Sequence, residues 1–143
     1  MNKLAVLDVK NIYINQKSIS KKEAIIAAGN ILVQSGYVKD SYIESMLRRD
    51  KKLSVYLGSY LAIPHGEFEG KDDINYSGIS VFIYPDGIDW DGDEVKVVIG
   101  LAGIDNDHMD ILSNLAIIFS EEENIEEILN ADDPQTIYDL LSN

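Results

Sequence analysis

The sequence predicts an α/β fold: a three-layer sandwich whose mixed, parallel and antiparallel, central sheet of about four to five strands is flanked by about five helices. Three observations carry this. Helical patterns stand before, between and after the strand-like segments. Residues 95–102 form a nearly continuous apolar run, as a central strand buried on both faces does. Residues 78–102 read as a hairpin-like strand pair, which makes the sheet mixed.

Residues 11–15 (Asn-Ile-Tyr-Ile-Asn) alternate polar and apolar side chains, the pattern of a short strand. Ser20 and Glu23 then make a capping-box signature. Behind it Ala24, Ile25, Ala28, Ile31 and Leu32 fall on one helical face. Gly36 is a natural C-terminal stop. Ser41 and Glu44 repeat the capping signal, and Ile43, Met46 and Leu47 give a short amphipathic helix. Arg48, Arg49, Lys51 and Lys52 follow, the densest positive cluster in the chain.

Residues 53–63 are apolar and aromatic-rich, interrupted by Gly58, and read as extended structure that stops at Pro64. Residues 67–75 read as a polar loop. The stretch 78–84 is a strand with β-branched residues. Pro85-Asp86-Gly87 and Asp91-Gly92-Asp93 are turn signals on either side of Trp90. Asp105, Asn106 and Asp107 stand where they can cap a helix carrying Met109, Ile111, Leu112, Leu115, Ala116 and Phe119. Residues 121–129 and 134–141 read as the last two helices. Pro134 suits a first helical position after Asp133.

A chain of 143 residues fits one domain, taken as 1–143. A domain of this size buries roughly 68–70% of its unfolded surface, so it folds without a disulfide or metal staple. Apolar residues make up 45% of the chain, enough for that core. The absence of cysteine excludes a disulfide scaffold, thiol catalysis and a Cys-ligated metal. No apolar run approaches the roughly 18 residues of a membrane span. The stretch 1–10, with charges at Lys3, Asp8 and Lys10, lacks the apolar core of a signal peptide. The expectation is a cytoplasmic protein with no direct membrane insertion. The net charge of −13 argues against nucleic acid, whose phosphates it would repel. An acidic surface suits a basic protein partner; it equally suits plain solubility.

Two histidines are present, His65 and His108. His65 follows an apolar strand and lies between Pro64, which restrains the backbone, and Gly66, which leaves room for a ligand's close approach. Strand ends leading into loops are where α/β proteins tend to place sites. On this pattern alone a turn histidine and a nucleophile both fit. His108 falls in the first turn of a predicted helix, where free N–H groups and the positive dipole end suit a phosphate. Asp105, Asp107 and Asp110 around it would instead repel a phosphate and stabilise a charged imidazole, so a solvated residue beside the cap fits as well. A metal site is not expected: there is no His-x-His or His-x-x-x-His spacing, and the aspartates look like turn and cap residues. There is no Gly-x-Ser-x-Gly elbow, no P-loop and no dinucleotide fingerprint. No cofactor is expected.

Tyr56-Leu-Gly-Ser-Tyr-Leu-Ala-Ile-Pro-His65-Gly resembles the active-site segment of the enzyme IIA proteins of the mannitol–fructose class. These serve the bacterial phosphoenolpyruvate-dependent sugar phosphotransferase system. Met46-Leu-Arg-Arg49-Asp is similar to that family's arginine-bearing helix end, and Asn106-Asp-His108-Met-Asp-Ile-Leu-Ser to its second-histidine segment. The opening Asn11-Ile-Tyr-Ile and the Ser20-Lys-Lys-Glu-Ala-Ile helix also look like the mannitol branch. The likeness covers essentially the whole chain, in order.

The resemblance implies a mixed sheet flanked by helices and a phosphocarrier chemistry. His65 would accept a phosphoryl group from the phosphocarrier protein HPr and pass it to a cysteine on the IIB domain of a membrane sugar permease. Arg49 would neutralise the phosphate, His108 would help place it, and Gly66 would leave room at the phosphate for an in-line donor. The resemblance favours Nε2 of His65 as the accepting atom. The physics agrees with such a relay. Imidazole is a neutral nucleophile near pH 7 and can serve as a covalent way-station. Phosphoryl transfer mostly needs positioning and charge stabilisation, which arginine supplies. One departure stands out: position 59 is Ser where the mannitol branch often has an acidic residue. Asp50 and Glu67 are then the acids left to orient the arginine. A regulatory, nitrogen-type or a fructose-specific IIA, and an interaction module with two structural histidines, are the competing readings.

Overall fold

The computed structural model describes residues 5–142, with the side chains of 68–70 left aside. The stretch 1–10 read above lies partly outside these residues. In chain order the elements are β1 (Ile12–Tyr13), α1 (Lys21–Gln34), α2 (Tyr42–Lys52), β2 (Tyr56–Gly58), β3 (Leu61–Ala62), β4 (Gly78–Trp90), β5 (Asp93–Ala102), α3 (Asp107–Ile118), α4 (Glu122–Leu129) and α5 (Pro134–Leu141). The strands form one five-stranded sheet in the order β1-β4-β5-β3-β2. β1 runs parallel to β4 and β3 parallel to β5, while β4–β5 and β2–β3 are antiparallel. The sheet is mixed, as expected.

Side-chain alternation along the inner strands explains the three layers. Phe82, Tyr84 and Val98 point to one face and pack with Ala24, Ile25, Ala28 and Leu32 of α1 and Met46 of α2. Val81, Ile83, Val97 and Ile99 point to the other, against Leu115 and Phe119 around α3, Ile128 of α4 and Ile137 of α5. A strand covered on both faces is apolar on both, which is why residues 95–102 lack a polar alternation, Lys96 apart.

The ends of α1 follow their sequence signals. Ser20 and Glu23 form a complete capping box. At the other end Gly36 adopts φ 84°, and the Gly36 and Tyr37 N–H groups donate to the Val33 and Leu32 carbonyls. That is a Schellman motif, which requires the left-handed conformation glycine tolerates. Asp133 caps α5 through the Thr136 N–H, with Pro134 in the first turn.

Other signals are used differently. Ser41 precedes α2 in a helical conformation and makes no side-chain cap bond, so the Ser41–Glu44 box does not form. The start of α2 instead turns through 3-10-type bonds, Tyr42 N–H to the Lys39 carbonyl and Ile43 N–H to that of Asp40. Asn106 likewise caps nothing with its side chain. Asp107 accepts a hydrogen bond from the Ser77 hydroxyl (2.7 Å), and Ser77 also accepts one from the Ile104 N–H (2.9 Å). A tertiary partner thus takes the carboxylate expected at the cap. On α3 Leu115 and Phe119 are buried, but Met109 is 63% exposed and Ala116 faces solvent.

Pro85-Asp86-Gly87 is not a turn. It lies inside β4 as a bulge, where residues 84–87 stand opposite Lys96 between the pairs Ile83↔Val97 and Ile88↔Val95. Only Asp91-Gly92 reverses the chain, with φ values of 57° and 100° that give a tight two-residue hairpin. Residues 53–63 fold as a second tight hairpin, β2–β3, with Ser59 and Tyr60 at φ 53° and 67°. The loop 67–75 contains a 3-10 helix, Phe68–Asp73.

Candidate functional site

β3 lies beside β5 in the sheet, and its short ladder continues past the strand end. The Leu101 N–H donates to the Pro64 carbonyl (2.9 Å), and His65 makes an isolated parallel bridge with Leu101. Proline has no N–H to lose from this ladder and keeps the chain extended into His65. The imidazole therefore emerges where the sheet stops, beside the loop that leads from β5 to α3.

Helix α2 closes the other side. The Tyr42 hydroxyl donates to the Leu101 carbonyl (2.8 Å) and accepts from the Gly66 N–H (2.9 Å). The Ser45 hydroxyl accepts from the next amide, Glu67 N–H (2.8 Å). The Glu67 carboxylate turns back onto α2 and pairs with Arg48 Nε (2.7 Å) and Lys52 Nζ (2.5 Å). These cations hold its pKa below the usual carboxylate range, Lys52 most strongly and then Arg48.

Two glycines allow these approaches. A Cβ on Gly66 would lie 2.5 Å from the Tyr42 ring, and one on Gly103 would lie 2.5 Å from the His108 Cα. The first lets α2 pack onto the strand exit. The second lets the start of α3 fold down over the end of β5.

His65 Nδ1 stands 2.8 Å from the Ile63 carbonyl. A carbonyl only accepts, so Nδ1 carries the proton and the lone pair is on Nε2. Burial is the largest influence on this imidazole and lowers its pKa. The Ile63 bond opposes that effect, and nearby His108 and Arg49 add to the lowering, leaving the pKa at about 4. His108 packs against His65 in a T-shaped arrangement, ring centroids 5.0 Å apart at 66°. Its pKa is also lowered, by burial first and then by Arg49. The neighbouring aspartates therefore do not make it the charged imidazole that their spacing suggested. Asp107 is turned toward Ser77, and Asp105 and Asp110 lie at solvent-exposed positions.

Arg49, His65, Gly66 and His108 all line one cavity of about 370 Å³, together with Tyr42 and Lys71. The tertiary structure thus collects every site residue expected from the sequence. Gly66 contributes a wall there, since its N–H is already engaged by Tyr42. Neither acid expected to orient Arg49 does so. Asp50 is buried and pairs with Lys21 Nζ (2.6 Å), while Glu67 faces Arg48 and Lys52. Arg49 Nη1 instead donates to the Leu53 carbonyl (2.6 Å), just beyond the end of its own helix. A backbone oxygen, not a carboxylate, thus holds the guanidinium beside the cavity, whose lining also includes Glu67 and Asp105. Tyr42 and Ser45 were not singled out by sequence reasoning. Tyr42 precedes Ser45 by three residues and Ser45 precedes Arg49 by four, so the three share one helix face, and that spacing is the signal that could have found them.

A half-buried, neutral imidazole with its lone pair on Nε2, beside a guanidinium and a second imidazole, suits one chemistry well. The nucleophile can attack phosphorus, and the neighbours can stabilise the equatorial oxygens.

The comparisons with known proteins point the same way. Residues 5–143 match the family described as phosphoenolpyruvate-dependent sugar phosphotransferase system, EIIA 2. The chain is 48% identical over 136 residues to a mannitol-specific phosphotransferase enzyme IIA component of Halalkalibacterium halodurans, covering 95% of this chain and 94% of that one. It is 47% identical over 129 residues to the component of the same name in Bacillus subtilis, covering 90% of each. Among solved structures, IIA mannitol from Escherichia coli superposes with a TM-score of 0.87 at 34% identity, over 94% of this chain and 98% of that one. The enzyme IIAMTL of the same organism, described in complex with phosphorylated enzyme IIBMTL, gives a TM-score of 0.88 at 33% identity, over 95% and 96%. The fold, the collected site and these likenesses agree: the chain belongs to the EIIA 2 family of the phosphoenolpyruvate-dependent sugar phosphotransferase system.

Proposed function

We propose that this chain, as one domain, is a mannitol-type enzyme IIA, a phosphotransferase component that carries a phosphoryl group on His65. The observation that supports this most directly is the bond from His65 Nδ1 to the Ile63 carbonyl, which leaves Nε2 as the free base. In the first step the Nε2 lone pair attacks phosphorus of phospho-HPr. The donor's phosphorus–nitrogen bond breaks, its electron pair returns to the HPr imidazole, and a new bond forms to Nε2. The proton stays on Nδ1, donated to the Ile63 carbonyl, and stabilises the phosphorylated ring. Arg49 balances the charge on the phosphoryl oxygens, and His108 positions them. In the second step a thiolate of the IIB domain attacks phosphorus from the open side, and the bond to Nε2 breaks. The imidazole returns to the neutral form in which it began.

Mannitol as the sugar is supported by the relatives' names, which describe mannitol-specific components. The sugar itself is bound by the permease, so this chain recognises IIB and not the polyol. No helix among the described residues is long and apolar enough to cross a membrane. We place the carrier in the cytoplasm, where HPr and the IIB domain would meet it.

The test is phosphorylation with purified enzyme I, HPr and phosphoenolpyruvate, followed by addition of a mannitol IIB domain. Acid-labile phosphate should appear on wild type, be absent from His65→Ala, and pass to the IIB cysteine. Equal labelling of His65→Ala, or label that never moves to IIB, defeats the reading.

A further inference from the structure

We infer that Tyr42 and Ser45 are positioning residues for phosphoryl transfer: their hydroxyls hold the backbone after His65 against the helix that carries Arg49. The inference rests on His65 being the acceptor.

The geometry is a closed circuit of hydrogen bonds. The Pro64 carbonyl accepts from Leu101 N–H, the Leu101 carbonyl accepts from the Tyr42 hydroxyl, and that hydroxyl accepts from Gly66 N–H. The circuit leaves Pro64 and returns at Gly66, so it encloses His65 alone. Ser45 extends it by one amide, taking the Glu67 N–H. Two consecutive amides after the acceptor therefore end on side chains of α2.

The Tyr42 hydroxyl can take part in only one way. An amide N–H cannot accept, so the hydroxyl must use its proton on Leu101 and its lone pair on Gly66. Burial pushes its pKa up to about 12, so the proton is kept. Tyr42 is 2% exposed and Ser45 is fully buried, so both hydroxyls are largely withdrawn from bulk solvent.

Tyr42, Ser45 and Arg49 share one stripe of α2. A shift of the 64–67 segment along α2 would move His65 relative to Arg49, and would also disturb the Ile63 carbonyl that sets the ring's tautomer. The two hydroxyls oppose that shift. A purely structural tyrosine and serine would support the fold but leave the tautomer and the transfer rate of folded molecules unchanged.

The experiment uses the full chain as Tyr42→Phe and Ser45→Ala, the first keeping the ring and losing only the hydroxyl. Two quantities are read: the rate of phosphoryl uptake from phospho-HPr per folded molecule, and the His65 tautomer from imidazole ¹⁵N shifts without phosphate. We expect Tyr42→Phe to slow uptake by roughly ten- to a hundredfold, as small misplacements of reacting groups do. We expect His65 to move from a single Nδ1–H form to a mixture. Ser45→Ala should change both in the same direction and by less, and it decides alone if Tyr42→Phe does not fold. An unchanged rate or an unchanged tautomer in the folded variants overturns the inference. If wild type itself takes up no phosphate, the phosphocarrier reading fails and this inference fails with it. Failure in the variants alone sinks only the inference.

Discussion

Arg49 and Asp50 are neighbours in sequence, yet they serve opposite sides of the structure. Arg49 lines the His65 cavity and donates to the Leu53 carbonyl, while Asp50 turns inward to Lys21 and also accepts from the Val55 N–H (3.4 Å). Successive helical positions point about 100° apart, so one can face a site and the next the protein interior.

This separation predicts different costs for the two residues. Asp50→Ala leaves the Lys21 ammonium with only the exposed Asp91 as partner. It should destabilise by about 1–3 kcal/mol, as removal of a buried charged partner does. Phosphoryl uptake per folded molecule should stay within about threefold of wild type. Thermal melts alongside the uptake assay check this; a large rate loss in folded Asp50→Ala would restore Asp50 as the acid that orients the arginine.

Arg49→Ala should show the reverse. It should slow uptake by about 10²–10³-fold, the usual loss when one group stabilising transition-state charge is removed. Its side chain is partly exposed, so the melting temperature should move little. Arg49→Lys should recover only part of the rate, because an ammonium lacks the planar fork that reaches both the carbonyl and a phosphoryl oxygen. Full rescue by lysine would mean that charge alone matters.

The pH dependence follows from His65. Its folded pKa of about 4 lies below the ordinary imidazole value. Between those values the unfolded chain binds the proton and the folded chain does not. This residue therefore makes stability rise with pH across that window, and its effect is constant above it. Acceptor competence should likewise persist from neutral pH down to about 5, then fall as Nε2 protonates. The His65 imidazole shift followed by NMR across pH 3–8 tests this directly. A midpoint near 6.5 would mean that the ring is not desolvated.

Gly103→Ala probes the seating of α3. The added methyl would sit 2.5–2.6 Å from backbone atoms of His108, which cannot rotate away. We expect a loss of about 1–3 kcal/mol from overpacking. His108 should also be displaced from His65, with a slower phosphoryl uptake than the melting temperature alone accounts for. Wild-type rate in the folded variant would show that His108 needs no such close seat.

Much of the architecture was legible because its causes are local. The capping box at Ser20, the Gly36 stop, the Asp133–Pro134 start and the two-residue turn at Asp91-Gly92 depend on neighbours a few residues away. The long apolar run of β5 announced a strand covered on both faces. Signals were misread where distant partners competed for the same groups. Ser77 takes the Asp107 carboxylate from its cap, and the bulge in β4 absorbs a Pro-Asp-Gly that would otherwise turn the chain.

By itself the sequence determined the fold class, the segments that pair and pack, and the three residues Arg49, His65 and His108 on which the chemistry is proposed to rest. Periodicity and residue type carry the fold class and the elements, while the three site residues come from the resemblance of their segments to a known family. Only the tertiary structure decided which nitrogen of His65 is free, that a backbone carbonyl and not an acid holds Arg49, and that Tyr42 and Ser45 receive the amides behind the acceptor. Each of these is a hydrogen bond whose partner is chosen by how helix, strand and loop meet. Bonds of about 3 Å demand positions that no linear pattern specifies.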